Sequence, residues 1–180
     1  MITGAELRAH ADALRERAER EPEDRARLLA EAAKYYAMLG EHQLAEQLYG
    51  QTLDNNGAPV GAAHGWYASF LLDQGRESEA LDLINQARRL RPFDPEVFVV
   101  IGEALLDHEH PVEAARWFTT GLVRALGDLA EIELDDLAFS DVMMLMRGRR
   151  KARRALDQPV DHLDEIFDHY RAERGSEWET

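Results

Sequence analysis

The chain has 180 residues, and its 35 acidic against 21 basic side chains leave a formal net charge of −14 with no cysteine. The missing thiols exclude disulfides, thiolate zinc sites and cysteine nucleophiles, and the acidic excess opposes nucleic acid as main partner, since affinity for phosphate comes from Lys and Arg. At 45% hydrophobic the chain can build a core, yet no apolar run approaches the ~18–20 residues that span a bilayer.

The first segment, "MITGAELRAHADALRERAER", has no apolar h-region of a secretory signal, so the expectation is a cytoplasmic protein. Leu7, Ala11, Leu14 and Ala18 fall on one stripe at helical spacing, which predicts a helix within 1–22. Further along, nearly every segment keeps that period. The β-like run "VFVVI", 97–101, follows Pro95 and Glu96, a good first helical turn, and is read as a buried helix. Breaks fall at Glu21-Pro22, Gly40, Asn55-Asn56-Gly57, Gln74-Gly75, Arg91-Pro92, His110-Pro111 and Gly127. Short connections between helices of this length predict antiparallel neighbours.

The pattern also repeats. Ala45 is followed four residues on by Tyr49, Ala80 by Ile84 and Ala114 by Phe118, with the alanines 35 and then 34 residues apart. The preceding helices align at the same offset: Leu29, Ala32, Ala33 and Tyr36; His64, Tyr67, Ala68 and Leu71; Phe98, Ile101, Gly102 and Leu105. Gly40 and Gly75 occupy the turn inside the first two repeats, and Pro92 ends the second.

This resembles the tetratricopeptide repeat, a pair of helices of about 34 residues with small residues at the close approach and aromatics between units. The resemblance covers 23–126, as repeats over 26–57, 61–92 and 95–126. Three positions depart from it: Gly57 and Leu126 stand where proline is usual, and Glu109 replaces the turn glycine. It implies an all-α solenoid of about three antiparallel helix pairs. The helix in 1–22 and the helices of 127–174 would then be polar caps, with 175–180 a tail.

The resemblance also implies a concave groove formed by the first helix of each pair. Its inward set would be Arg27, Ala30, Lys34 and Met38, then Ala62, Gly65, Ser69 and Asp73, then Glu96, Val99, Glu103 and Asp107. The expected partner is a peptide or helix of another protein. A basic segment in it would suit Asp73, Glu103 and Asp107. Relatives of this fold that clamp a C-terminal carboxylate use paired Lys and Asn. Here those places hold Ala30, Lys34, Gly65 and Ser69, so no such clamp is expected.

Chemistry-bearing motifs are sparse. "LDHEH", 106–110, gathers Asp107, His108, Glu109 and His110, but the histidines are two apart at a helix end rather than at the four-residue spacing of helical metal pairs. His64 sits at a large-residue packing position, and His162 and His169 lie on a helix read as a solvated acidic face with Asp161, Asp164, Glu165 and Asp168. No GxSxG, HExxH or phosphate-cradling glycine loop occurs. No metal or other cofactor is expected, and a non-enzyme is. Trp66-Tyr67 and Trp117-Phe118 read as core aromatics, and Trp178 lies in the tail.

One feature cuts across the acidic character. In "MRGRRKARRAL", 146–156, six of eleven residues are Arg or Lys. A helix over 141–156, with Ser140 as N-cap and Asp141 in its first turn, puts Val142, Leu145, Met146, Ala152 and Leu156 on one side with a notch at Gly148. Arg147, Arg150, Lys151 and Arg154 form a basic face, flanked by Arg149 and Arg153. Acidic segments precede it (Asp128, Glu131, Glu133, Asp135, Asp136) and follow it, the latter around an apolar stripe of Leu163, Ile166, Phe167 and Tyr170. The basic face therefore has three readings: pairing within the chain, an acidic protein partner, or nucleic acid. The layout is similar to small actinobacterial tetratricopeptide proteins with an Arg-rich helix after the repeats. Some of them carry a Cys-rich metal-binding tail, which has no counterpart here. The reading is a protein–protein adaptor or scaffold. The alternatives are a nucleic-acid-associated regulator using 146–156 and a metal- or small-molecule-responsive helical domain. Self-association through the C-terminal helices stays open.

Overall fold

The computed structural model describes residues 3–54, 57–133 and 140–174, and among them the chain is helical with no strand. It divides into two compact units, Met1–Pro92 and Phe93–Thr180. No helix among the described residues is long and apolar enough to cross a membrane.

The first unit holds α1 (Gly4–Arg20), α2 (Arg25–Met38), α3 (His42–Thr52), α4 (Ala62–Asp73) and α5 (Glu77–Arg89). Thr3 starts α1 through a capping box: its hydroxyl accepts from the Glu6 amide at 3.2 Å, and Glu6 accepts from the Thr3 amide at 2.7 Å. Ala11, Leu14 and Ala18 bury the predicted stripe, and α1 packs along α2. The buried Tyr36 ring ties the two, its hydroxyl donating to Asp12 and accepting from Arg15 Nη1 at 3.4 Å. Gly57 lies in the left-handed region at φ +81°, and a Cβ there would collide with the Glu23 carbonyl. Proline, locked near φ −65°, fits neither condition, which accounts for one departure from the repeat pattern.

The second unit holds α6 (Pro95–Asp107), α7 (Pro111–Leu126), a 3-10 turn (Leu129–Glu131), α8 (Ser140–Ala155) and α9 (His162–Arg174). Asp94 caps α6 by accepting from the Glu96 amide at 2.9 Å, with Pro95 at the first helical position, so 97–101 is helical. Ser140 is the first residue of α8 rather than the residue before it, and its side chain lies outside the described residues, as do Asp135, Asp136 and the 175–180 tail with Trp178.

Helices within each pair are joined by three-residue turns, at 39–41, 74–76 and 108–110. The three turns share one hydrogen bond. The amides of Glu41, Arg76 and His110 donate to the carbonyls of Tyr36, Leu71 and Leu105 at 2.9, 2.8 and 2.8 Å. The residue before each donor is left-handed: Gly40 at φ +79°, Gly75 at +71° and Glu109 at +64°. Glu109 takes the glycine conformation without being glycine. Ala45, Ala80 and Ala114 are fully buried near the start of the second helices. In the second unit Phe118 of α7 is fully buried between two glycines, Gly102 of α6 and Gly148 of α8. A Cβ on Gly102 would sit 2.6 Å from the ring, and one on Gly148 would overlap it as well.

Candidate functional site

The basic helix resolves into two faces. At about 100° per residue, Arg149 and Arg153 lie about 40° apart with Arg150 about 60° beyond, while Arg147, Lys151 and Arg154 gather on the other side. The first three face α9. Arg149 donates to Asp161 and, through Nη1, to Asp164 at 3.3 Å. Arg150 Nη2 donates to Asp168 at 2.7 Å, and Arg153 Nε to Asp164 at 3.0 Å. Arg153 also reaches the Pro159 carbonyl at 2.6 Å and Gln158 at 2.8 Å, closing the α8–α9 connection. Arg149 and Arg150 are buried, and the Asp164 side chain is 2% exposed.

This corrects two expectations. Arg150 does not belong to one continuous basic face with Arg147, Lys151 and Arg154, and Asp164 does not belong to a solvated acidic face. The reason is register. The turn after α8 repeats the bond of the earlier turns, with the Gln158 amide donating to the Arg153 carbonyl at 3.0 Å and Asp157 left-handed at φ +52°. Counted back from that bond, Arg153 holds the place of Tyr36, Leu71 and Leu105. Arg150 holds that of Ala33, Ala68 and Gly102. The arginines occupy positions where the other pairs bury apolar or small residues. The sequence signal was present in that register and in Asp161, Asp164 and Asp168, spaced three and four.

The electrostatics follow. Burial pushes the Asp161 carboxyl up, but hydrogen bonds from Arg149 and the Asp164 amide, with the charges of Arg149 and Arg153, outweigh it and hold it at about 2. Arg149 and Arg153 also line a cleft of about 430 Å³ with Arg116, Thr119 and Thr120. Both guanidiniums are already bonded to Asp161 and Asp164.

Arg147 and Lys151 are exposed, and the Arg154 side chain is 61% exposed with Asp168 at 3.9 Å. Lys151 Nζ reaches Asp107 Oδ1 of α6 at 3.3 Å. The expected groove residues divide as well. In the first unit Arg27, Lys34, Met38 and Asp73 are exposed, and the Arg27 guanidinium stands over Trp66 at 5.9 Å. In the second, Glu103 and Asp107 are exposed and Glu96 is half-buried. Ala30, Ala62, Gly65 and Val99 are buried, so they pack helices instead of lining a surface.

Among the described residues, no three His, Asp or Glu side chains gather as a metal would need. His108 Nδ1 donates to the Ala104 carbonyl at 2.9 Å, and His64 is half-buried, its pKa lowered by burial. His162 Nε2 lies 3.2 Å from the Ile132 carbonyl. No family model matches the chain, and no curated protein or solved structure matches it.

Proposed function

We infer that the chain is a non-catalytic protein–protein interaction module of the cytoplasm. In this reading it is a tetratricopeptide-like array of about three helix pairs, with α1 and the α8–α9 pair as polar ends. The exposed side of the first helices holds a peptide or helix of another protein. The observation that carries the reading is the recurrent turn. A three-residue turn with one hydrogen bond and one left-handed residue recurs at 40, 75 and 109, 35 and then 34 residues apart, a spacing that fits one repeated supersecondary unit; the longer α8–α9 connection shares the bond, with its left-handed residue at 157. The exposed Arg27, Lys34, Asp73, Glu103 and Asp107 supply the charges that would register a partner.

Affinity capture on the full chain, with and without nuclease, tests this. The expected partner is a protein that survives nuclease and is lost when Arg27 and Lys34, or Glu103 and Asp107, are reversed in charge. A partner lost on nuclease treatment and dependent on Arg147 and Arg154 overturns the reading in favour of a nucleic-acid-associated role. A bound metal or small molecule required for capture would favour a ligand-responsive domain.

A further inference from the structure

The exposed cations of α8 and the exposed carboxylates of α6 form one surface. On α6, Glu103 and Asp107 are four residues apart and both exposed. On α8, Arg147, Lys151 and Arg154 are spaced four and three and all exposed, with Met144 at the head of the stripe at 47% exposure. Helical spacing lines up each set on one side of its helix. The Lys151–Asp107 contact at 3.3 Å joins the two stripes edge to edge, and α6 packs against α8. The result is an acidic stripe beside a basic stripe.

We propose that this two-stripe face of α6 and α8 binds the same face of a second copy of the chain, forming a symmetric dimer. The surface is complementary to itself. A twofold axis parallel to the stripes sets Glu103 and Asp107 of each copy opposite Arg147, Lys151 and Arg154 of the other. An axis across the stripes would set like on like. Charge thus selects one isologous arrangement. Two copies at −14 each repel over most approaches. The two-stripe face sets two carboxylates, with the partly exposed Asp168 3.9 Å from Arg154, against three cations, so it carries no net negative charge to oppose approach there. The proposal rests on the docking role of the exposed first-helix surface and extends it to α8.

The test is sedimentation equilibrium of the full chain. At about 0.1 M salt, where repulsion between net charges is screened beyond about 10 Å but contacts across the face are not, the wild type is expected to dimerise, and salt of about 1 M is expected to dissociate it. Two variants carry faces of one sign: Glu103→Arg with Asp107→Arg, and Arg147→Glu with Lys151→Glu and Arg154→Glu. Each alone is expected to lose association by at least about tenfold, and an equimolar mixture to recover a heterodimer. A wild type that stays monomeric at the lower salt overturns the proposal. So does a mixture that fails to associate, or a dimer that both variants retain. Circular dichroism checks each variant. If either misfolds, a dimer of wild type that does not weaken with salt overturns the proposal by itself. Partner capture through Arg27 and Lys34 is read separately, so a monomeric wild type sinks the dimer and leaves the adaptor reading standing.

Discussion

Asp164 Oδ2 accepts from Arg153 Nε at 3.0 Å while its Oδ1 accepts from Arg149 Nη1 at 3.3 Å, with the carboxylate 2% exposed. One aspartate therefore anchors two arginines, with a third, Arg150 Nη1, at 3.5 Å. Such a cluster is costly to break from one side, because the partners are left buried and charged. Asp164→Ala is expected to cost about 3–5 kcal/mol, measured by urea unfolding. Asp168→Ala, whose side chain is 40% exposed, should cost less, about 1–3 kcal/mol, because buried Arg150 loses that hydrogen bond but keeps Asp164 at 3.5 Å. Equal costs would show that burial does not set the strength of the network.

Asp161 predicts an acid limb. Its folded pKa of about 2 lies below the ordinary carboxylate range, so its contribution is fully present above about pH 4 and is lost as pH falls through about 2. With the side chain 36% exposed, solvent screening limits that contribution to about 1 kcal/mol. Asp161→Asn should lower stability at neutral pH and flatten the stability curve between about pH 4 and pH 2. An unchanged acid limb would contradict the pairing.

Gly148 predicts the reverse of its helix propensity. Alanine in mid-helix ordinarily gains about 1 kcal/mol over glycine. Here its Cβ would enter the Phe118 ring, an overpacking that costs about 1–3 kcal/mol. Gly148→Ala should therefore be less stable than wild type, and adding Phe118→Leu should recover part of the loss. A stabilised Gly148→Ala would show that α8 does not pack on Phe118 in solution.

Glu109 offers a gain. It is exposed and left-handed at φ +64°, in a turn where two counterparts are glycine. Glu109→Gly should stabilise by about 1 kcal/mol. Gly75→Ala, at φ +71°, should destabilise by a similar amount. Thermal unfolding of both variants compares them directly.

Much of this was written in the order of residues. Helical period places Ala11, Leu14 and Ala18 inside, and Pro95 with Asp94 sets the start of α6. The recurrence of Ala45, Ala80 and Ala114 marks second helices that begin at His42, Glu77 and Pro111. These features are local, since backbone hydrogen bonding and apolar patterning decide them within a few residues. The Gly148 notch belongs with them, although its occupant, Phe118, lies 30 residues away in sequence.

The arginines were not legible in this way. An apolar residue at helical period has one destination, but an arginine is at home in water or against a carboxylate, and its own helix does not say which. Only the packing of α9 on α8, with Asp161, Asp164 and Asp168 opposite Arg149, Arg150 and Arg153, decides that Arg149 and Arg150 are buried and Arg153 partly so. The same packing leaves Arg147, Lys151 and Arg154 to solvent. Composition and period determined a helical, acidic chain. The tertiary structure decided where its positive charge goes, because charge is neutralised by whichever opposite charge the fold brings within reach.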